Sequence, residues 1–567
     1  MQSRSTFAAS HAAPVAGWTL AWRWLLALAL STWTVVGCAS LPANVDRPVS
    51  NAFAAPDQTA LGQLVQQRHA QDKARSDSGF VLVDSADAAL SSRLALIDAA
   101  QRTLDLQYYA IHADATTEIL LQRLRDAARR GVRVRILLDD FNTVGKDAQV
   151  LRLAFEPNVQ MRLFNPLPGS RASLMGRVIT SIKDVDRLQK RMHNKLFIAD
   201  NAIGITGGRN LGDAYFGQDG KSNFVDLEVL AAGRIVRDMS ASFDRYWNNE
   251  LAYPMQSLVS AKDLEDLRKP ASAPDPAARP ASAASAPAAM HVSATAVLPT
   301  ATPTAVVSAE RPTMDLRQLR FVWAPSVLMA DQPGKIGPDD DEADAGETVV
   351  DGLLGLMQQA REDILIVSPY FVPGKMMMGE FAQLRARGVR IRVLTNSLAS
   401  TDAPAAHAGY LRYRKQLLSM GVELYEMRAE QEGTTEGLGS TAGFGSGGTG
   451  GGSKGGSARA SLHSKALIID GRLAVIGSMN LDLRSQRKNS EVALLLRSGR
   501  LARIATEKTE ATMAQGAYRV ALQPGGALVW HAPPGAPYKD AHSEPEAGAK
   551  LKLLISVLGP FAPEEML

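Results

Sequence analysis

The chain has one cysteine in 567 residues and only nine histidines, and it nowhere reaches an uninterrupted run of about 20 apolar residues. A single thiol excludes an intramolecular disulfide framework and a multi-thiolate metal centre. The missing apolar run, with a mean hydropathy of -0.09, argues against a polytopic membrane protein. Blocks of like charge are absent too. The 62 Lys+Arg against 58 Asp+Glu leave +4, too slight an imbalance on this length for an obligate nucleic-acid binder. What is present is 46% hydrophobic and 21% charged residues, enough for two or more ordinary cores.

The lone cysteine, Cys38, ends a segment with Arg4 and Arg23, no acidic residue, and an apolar stretch from Trp24 to Gly37. That stretch is short for a membrane span and reads as a secretory signal. Val35-Val36-Gly37-Cys38 resembles the bacterial lipobox. Residues 1–37 are therefore expected to be a cleaved signal peptide, Cys38 the lipidation site, and 38–78 a membrane tether carried by acyl chains. Arg23 precedes the apolar run and should stay inside. The rest is then expected to be a periplasm-facing lipoprotein of the cell envelope, with Ala39 favouring the outer membrane over the inner.

Residues 269–315 are mostly Ala, Pro, Ser, Thr and Val and read as a semi-rigid interdomain linker. A glycine-rich stretch, 432–459, reads as a mobile inserted loop. Asp339-Asp340-Asp341-Glu342 lacks ion-loop spacing and reads as solvated loop. Around the linker the chain repeats itself. LALIDAAQRTLDLQYY from Leu94 and LQRLRDAARRGVRVRILLDD from Leu121 are answered by LLGLMQQAREDILIVSPYF from Leu353 and FAQLRARGVRIRVLTNS from Phe381. Helices that stop at Gly131 and Gly388 before apolar strands predict an α/β fold with a mainly parallel sheet in each half. A duplication of this size implies two similar domains and often one shared site.

The repeat is sharpest at His193-Asn194-Lys195, Asp200 and Gly207-Gly208-Arg209-Asn210, matched by His463-Ser464-Lys465, Asp470 and Gly477-Ser478-Met479-Asn480. In both, Lys, Asp and Asn follow His by two, seven and seventeen residues. His and Lys two apart on a strand share a face, so an imidazole and an ammonium converge on one ligand. Two such sets supply two imidazoles, two ammoniums and two carboxamides, an inventory suited to a phosphodiester. A lone histidine is more often a hydrogen-bonded structural imidazole, but duplication at matching offsets argues otherwise. Zinc is disfavoured, since lysine is a poor ligand and neither motif adds a cysteine or second histidine; no metal and no cofactor are expected.

These residues resemble the phospholipase D superfamily, whose signature is His-x-Lys-x4-Asp followed by Gly-Gly/Ser-x-Asn, twice per chain. The match spans most of residues 80 to 515. LDLQYYAIHAD from Leu104, LTNSLASTDAPAAHAGYLRYRKQLLSMGVELYE from Leu394, and the stretches around both motifs look closest to bacterial cardiolipin synthases of the C branch. The lipobox, the linker and the glycine-rich insert depart from that pattern. The resemblance implies two tandem phospholipase D-like α/β sandwich domains, 79–268 and 316–530, related by a pseudo-twofold axis with a single active site at their interface, and a C-terminal tail at 531–567. It implies a phosphatidyltransferase working through a covalent phosphohistidine, with phospholipase D hydrolysis as the rival and a nuclease further behind. His193, Lys195, Asp200, His463, Lys465 and Asp470 form the implied catalytic set, His193 as nucleophile and His463 as acid then base, although symmetry alone leaves that order open. Lys195, Lys465, Asn210 and Asn480 would bind the phosphate. Asp226 and Glu491 would orient the histidines, and Asp200 and Asp470 are expected to be structural. Phosphatidylglycerol is the implied substrate, phosphatidylethanolamine a candidate second lipid, and a helper protein a candidate partner. His407 is a candidate for the acceptor pocket or a surface histidine, and Tyr108, Tyr109, Tyr370 and Phe371 are core or rim aromatics. The segment from Leu551, LKLLISVLGPFAPEEML, is expected at a bilayer interface or packed on the second domain.

Overall fold

In each half a capped helix feeds a strand, and a second helix ends at a glycine before the next strand. Ser85 caps the helix Ala86–Ala99, which leads to the strand Thr103–Tyr108. Asp114 caps Ala115–Arg129, which precedes Arg133–Asp139. In the second half a Thr348–Asp351 capping box opens Val349–Gln358, before the strand Asp363–Val367, and Gly374–Ala386 precedes Arg390–Asn396. Gly131 and Gly388 take φ of +92° and +83°, a left-handed stop that a side chain would strain. The computed structural model describes residues 41–169, 185–259, 313–337, 348–430, 438 and 459–558.

Two nine-stranded sheets result. In each only three neighbouring strands run parallel: Thr103–Tyr108, Arg133–Asp139 and Val159–Phe164 in the first, and Asp363–Val367, Arg390–Asn396 and Glu423–Met427 in the second. The remaining pairs are antiparallel, which corrects the mainly parallel expectation. The cause sits in the motifs. After Ala199 and after Ile469 the chain reverses through tight turns whose central residues all have positive φ, Asp200 (52°) and Asn201 (54°), then Asp470 (51°) and Gly471 (59°). Turns of that hand match the strand twist and make hairpins.

The halves are welded by a shared apolar layer. Leu196, Ile198 and Val229 of the first sheet cluster with Leu365, Ile468 and Ile476 of the second, all buried. Domain limits shift accordingly. The supposed tether is folded from residue 41 on, and its helix Ala60–Gln71 buries Leu61 and Val65 in the first core. Residues 316–323 belong to the first half rather than the second. Leu316, Leu319 and Phe321 join its core, and Val322–Trp323 adds an edge strand to it. The segment after 530 packs on the second half, where Glu544 meets Arg414, Glu546 meets Arg428 and Ile555 of the helix Ala549–Leu558 clusters with Leu398 and Ala408. Cys38, the acidic patch and nearly all of the linker and insert lie outside the described residues. Among the described residues no helix is long and apolar enough to cross a membrane.

Candidate active site

Two short parallel ladders cross between the halves and build the site. Arg191–Met192, just before His193, pairs with Asn489–Ser490, just before Glu491. Arg459–Leu462, just before His463, pairs with Ser222–Val225, just before Asp226. The backbone N–H of His193 donates to Ser490 O (2.9 Å) and that of His463 to Val225 O (2.8 Å). Each histidine therefore lies beside the carboxylate of the opposite half. His193 Nδ1 sits 2.9 and 3.1 Å from the Glu491 oxygens, and His463 Nδ1 is 2.9 Å from Asp226 Oδ2. Asp139 accepts from the Met192 N–H at 2.9 Å, and Asn396 accepts from the Leu462 N–H at 2.8 Å, so the same support holds both approaches.

Burial and mutual charge set the electrostatics. Burial, then Lys195 and Lys465, press the His193 imidazole well below its usual value. Burial and the same two lysines do likewise to His463, so both rings are neutral at pH 7. Burial lowers Lys195 to about 7 and Lys465 to about 8. It raises Asp226 to about 6 and Glu491 to about 7. His193 and His463 are 8% and 5% exposed, so the reactive edges meet solvent through a narrow opening.

The two sides differ in detail. Glu491 accepts from Ser478 Oγ (2.5 Å) and Ser485 Oγ (2.9 Å). On the other side, a Cβ at Gly208 would lie 2.6 Å from Asp226 Oδ2 and 2.8 Å from His463 O. The Gly-Gly and Gly-Ser forms of the motif thus follow from the two carboxylates: the hydroxyl completes the longer Glu491, and the missing side chain makes room for Asp226. Lys465 Nζ lies 3.1 Å from His463 Nδ1. Each ammonium donates to its own histidine's carbonyl, Lys465 Nζ to His463 O at 2.5 Å and Lys195 Nζ to His193 O at 2.9 Å, and Lys195 Nζ sits 5.6 Å above the Tyr109 ring.

The other motif residues are spread along the strands. Asn210 accepts from the Ala110 N–H and donates to the Tyr215 hydroxyl. Asn480 is buried with an unpartnered Oδ1. Asp200 and Asp470 do not join the catalytic cluster. They sit at the opposite end of their strands, where Asp200 accepts from the N–H groups of Gln101, Arg102 and Thr103, and Asp470 from those of Arg361, Glu362 and Asp363. Tyr109 meets His193 edge-on at 5.2 Å, whereas Tyr108 and Phe371 are core. His407 is neither exposed nor at the histidines. It is buried 3.8 Å from Glu544 of the C-terminal segment. Sequence reasoning missed Tyr215 and Phe224, whose rings lie 5.3 and 4.9 Å from His463. It also missed Ser485. Only their closeness to the motifs in sequence could have flagged them. Among the described residues no group of three His, Cys, Asp or Glu could hold a metal.

A family model described as cardiolipin synthase, PLD-like domain, matches residues 94–247 and 353–513, more than half the chain. The chain belongs to this phospholipase D-like family. It is 34% identical to cardiolipin synthase C of Escherichia coli (strain K12), over 80% of this chain and 88% of that one. It is 22% identical to cardiolipin synthase A of Serratia proteamaculans (strain 568), over 77% and 69%. Among solved structures, phosphatidylserine synthase of Haemophilus influenzae Rd KW20 shares the fold, with a TM-score of 0.53 at 13% identity, covering 88% of this chain and 100% of that one. The phospholipase D-like repeats begin after the capped helices open and close after the second carboxylate, so both ladders fall inside them.

Proposed function

We propose that this chain is a phosphatidyltransferase that makes cardiolipin from phosphatidylglycerol and a second phospholipid. The observation that carries the chemistry is the pair of neutral imidazoles, each held at Nδ1 by a buried carboxylate from the opposite half, with two lysines between them. The substrate class comes from the E. coli relative's name and from the match over most of both chains.

His193 is the nucleophile. Its Nδ1–H is donated to Glu491, and Nε2 keeps a lone pair for phosphorus. His463 Nδ1 likewise donates to Asp226, so its Nε2 faces the leaving oxygen, and a bound phosphodiester offsets the lysine charges that depress the ring and lets it carry a second proton as imidazolium. In the first step His193 Nε2 bonds to phosphorus, the bond from phosphorus to the headgroup oxygen breaks, and the His463 imidazolium gives that oxygen its Nε2 proton and becomes neutral. In the second step His463 takes a proton from the hydroxyl of the incoming lipid, whose oxygen displaces His193. Lys195 and Lys465 hold the non-bridging oxygens, whose charge grows as phosphorus becomes five-coordinate.

The setting is a bilayer surface. Cys38 supplies an acyl anchor to the cell envelope, with the catalytic halves on the periplasmic side. The helix Ala549–Leu558 adds contact. Ile555 packs on Leu398 and Ala408, while Leu553, Leu554 and Val557 are 65%, 49% and 54% exposed beside Lys550, an apolar and basic face suited to anionic lipid.

Purified protein with phosphatidylglycerol vesicles, with and without phosphatidylethanolamine, is the test, read by mass spectrometry against a His193→Ala control. Cardiolipin with free glycerol or ethanolamine is expected. Phosphatidic acid as sole product would make the chain a hydrolase.

A further inference from the structure

The motifs match at His, Lys, Asp and Asn, yet the walls beside the two histidines differ in charge. Gln107 pairs with Leu196 and Val367 with Ala466. The residues after Gln107 therefore lie beside Lys195, and those after Val367 beside Lys465. The bridges Ile111 to Leu211 and Phe371 to Leu481 fix the equivalence, so Ala110 corresponds to Tyr370. On the His193 side Arg484 adds positive charge that helps burial depress His193 and opposes the rise that burial gives Tyr109. On the His463 side the Tyr370 hydroxyl stands 2.8 Å from both oxygens of Asp402. Asp402 is exposed, and among the described residues its carboxylate is held by that hydroxyl and by no cation. Its charge nonetheless reaches the site, partly offsetting the burial that lowers Lys465 and adding to the burial that raises Tyr215.

In-line displacement gives this difference a direction. With His193 attacking phosphorus, the departing oxygen leaves on the opposite face, toward His463. Whatever headgroup that oxygen carries meets the wall with Tyr370 and Asp402. A phosphate or an acyl chain gains nothing from a carboxylate there. An ammonium or a free hydroxyl does, because each donates a charge-assisted hydrogen bond to it.

We propose that Asp402 and Tyr370 form the headgroup subsite. Asp402 accepts from the ammonium or hydroxyls of the leaving alcohol and then of the entering one, and Tyr370 fixes the carboxylate in place. The subsite rests on the phosphatidyl-transfer reading above.

Wild-type, Asp402→Asn and Tyr370→Phe proteins are each given phosphatidylethanolamine vesicles, phosphatidylglycerol vesicles, and bis(p-nitrophenyl) phosphate, a diester with no amine or aliphatic hydroxyl. Released ethanolamine, glycerol or nitrophenol is measured, so the readout is indifferent to whether water or a lipid accepts the phosphatidyl group. For Asp402→Asn, kcat/KM should fall about tenfold further on phosphatidylethanolamine than on the aryl diester, the worth of one charge-assisted hydrogen bond. The drop on phosphatidylglycerol should be smaller, because its hydroxyls are neutral. Tyr370→Phe should give the same order with a smaller factor. Equal losses on lipid and aryl diester in both variants, or a lipid kcat/KM changed less than about twofold, overturn the subsite. Headgroup release without cardiolipin overturns the synthase reading alone and leaves the subsite standing on its own result. Wild-type protein that releases neither headgroup overturns both.

Discussion

Glu491, in the second half, holds Nδ1 of His193, in the first, at 2.9 Å, and Asp226 returns the arrangement to His463 at the same distance. Each carboxylate fixes a tautomer and steadies the imidazolium that forms as a proton moves. Glu491→Gln keeps the shape but loses the charge, and kcat should fall about 10²- to 10⁴-fold with KM little changed. Steady-state kinetics on vesicles would check it. A rise in KM alone would mean that Glu491 serves binding rather than the chemical step.

Gly208 should tolerate no side chain. Its Cβ would press on the Asp226 carboxylate and on the His463 carbonyl, so Gly208→Ala should cost at least about tenfold in kcat and about 1–3 kcal/mol of stability. At the matching place Ser478→Ala removes a donor to Glu491 and should cost about 1.5–3 kcal/mol. Thermal unfolding beside activity separates the two. Wild-type kcat in Gly208→Ala would mean that Asp226 can shift without consequence.

The pH profile of kcat/KM should be a narrow bell, since it reports the free enzyme. As pH falls through the range of Glu491 (about 7) and Asp226 (about 6), the orienting carboxylates are protonated and activity drops. As pH rises through that of Lys195 (about 7) and Lys465 (about 8), the ammoniums that hold phosphate lose their charge and activity drops again. A flat profile between pH 6 and 9 would contradict these assignments.

Asp200→Ala and Asp470→Ala should act on stability. Each carboxylate accepts from three consecutive backbone N–H groups, and the loss should cost about 1–3 kcal/mol. Counting phosphohistidine per folded molecule by mass spectrometry should give a wild-type stoichiometry. A stable variant with no phosphohistidine would return these residues to the chemistry.

Leu553→Ser, Leu554→Ser and Val557→Ser together should weaken co-sedimentation with anionic vesicles in a chain lacking the lipid anchor. They leave Ile555 and its packing untouched. Unchanged sedimentation would assign that face elsewhere.

Much of this was legible in sequence because it is local or repeated. The two motifs, the glycine stops at 131 and 388, and the helices before them all follow from short-range spacing. The mixed sheets were legible too, in Asp200-Asn201 and Asp470-Gly471, two-residue turns of hairpin type that the helix–strand rhythm upstream concealed. What spacing cannot carry is which partner each histidine takes. Asp226 lies 33 residues after His193 yet serves His463, across a separation of 237. The burial of His407 was hidden for the same reason, since Glu544 covers it from the far end of the chain. Tyr370 stands where the other repeat has Ala110, so a search for residues shared by the repeats passes over it and over its partner Asp402.

The crossed ladders also order events in time. A chain that emerges from its N-terminus presents His193 first, without Glu491, which follows 298 residues later. Until the strand Asn489–Ser490 docks, His193 lacks its carboxylate, although His463 can already meet Asp226 through the other ladder. Catalysis thus waits on the second half, and a partly made chain that already carries His193 still lacks the carboxylate that holds it.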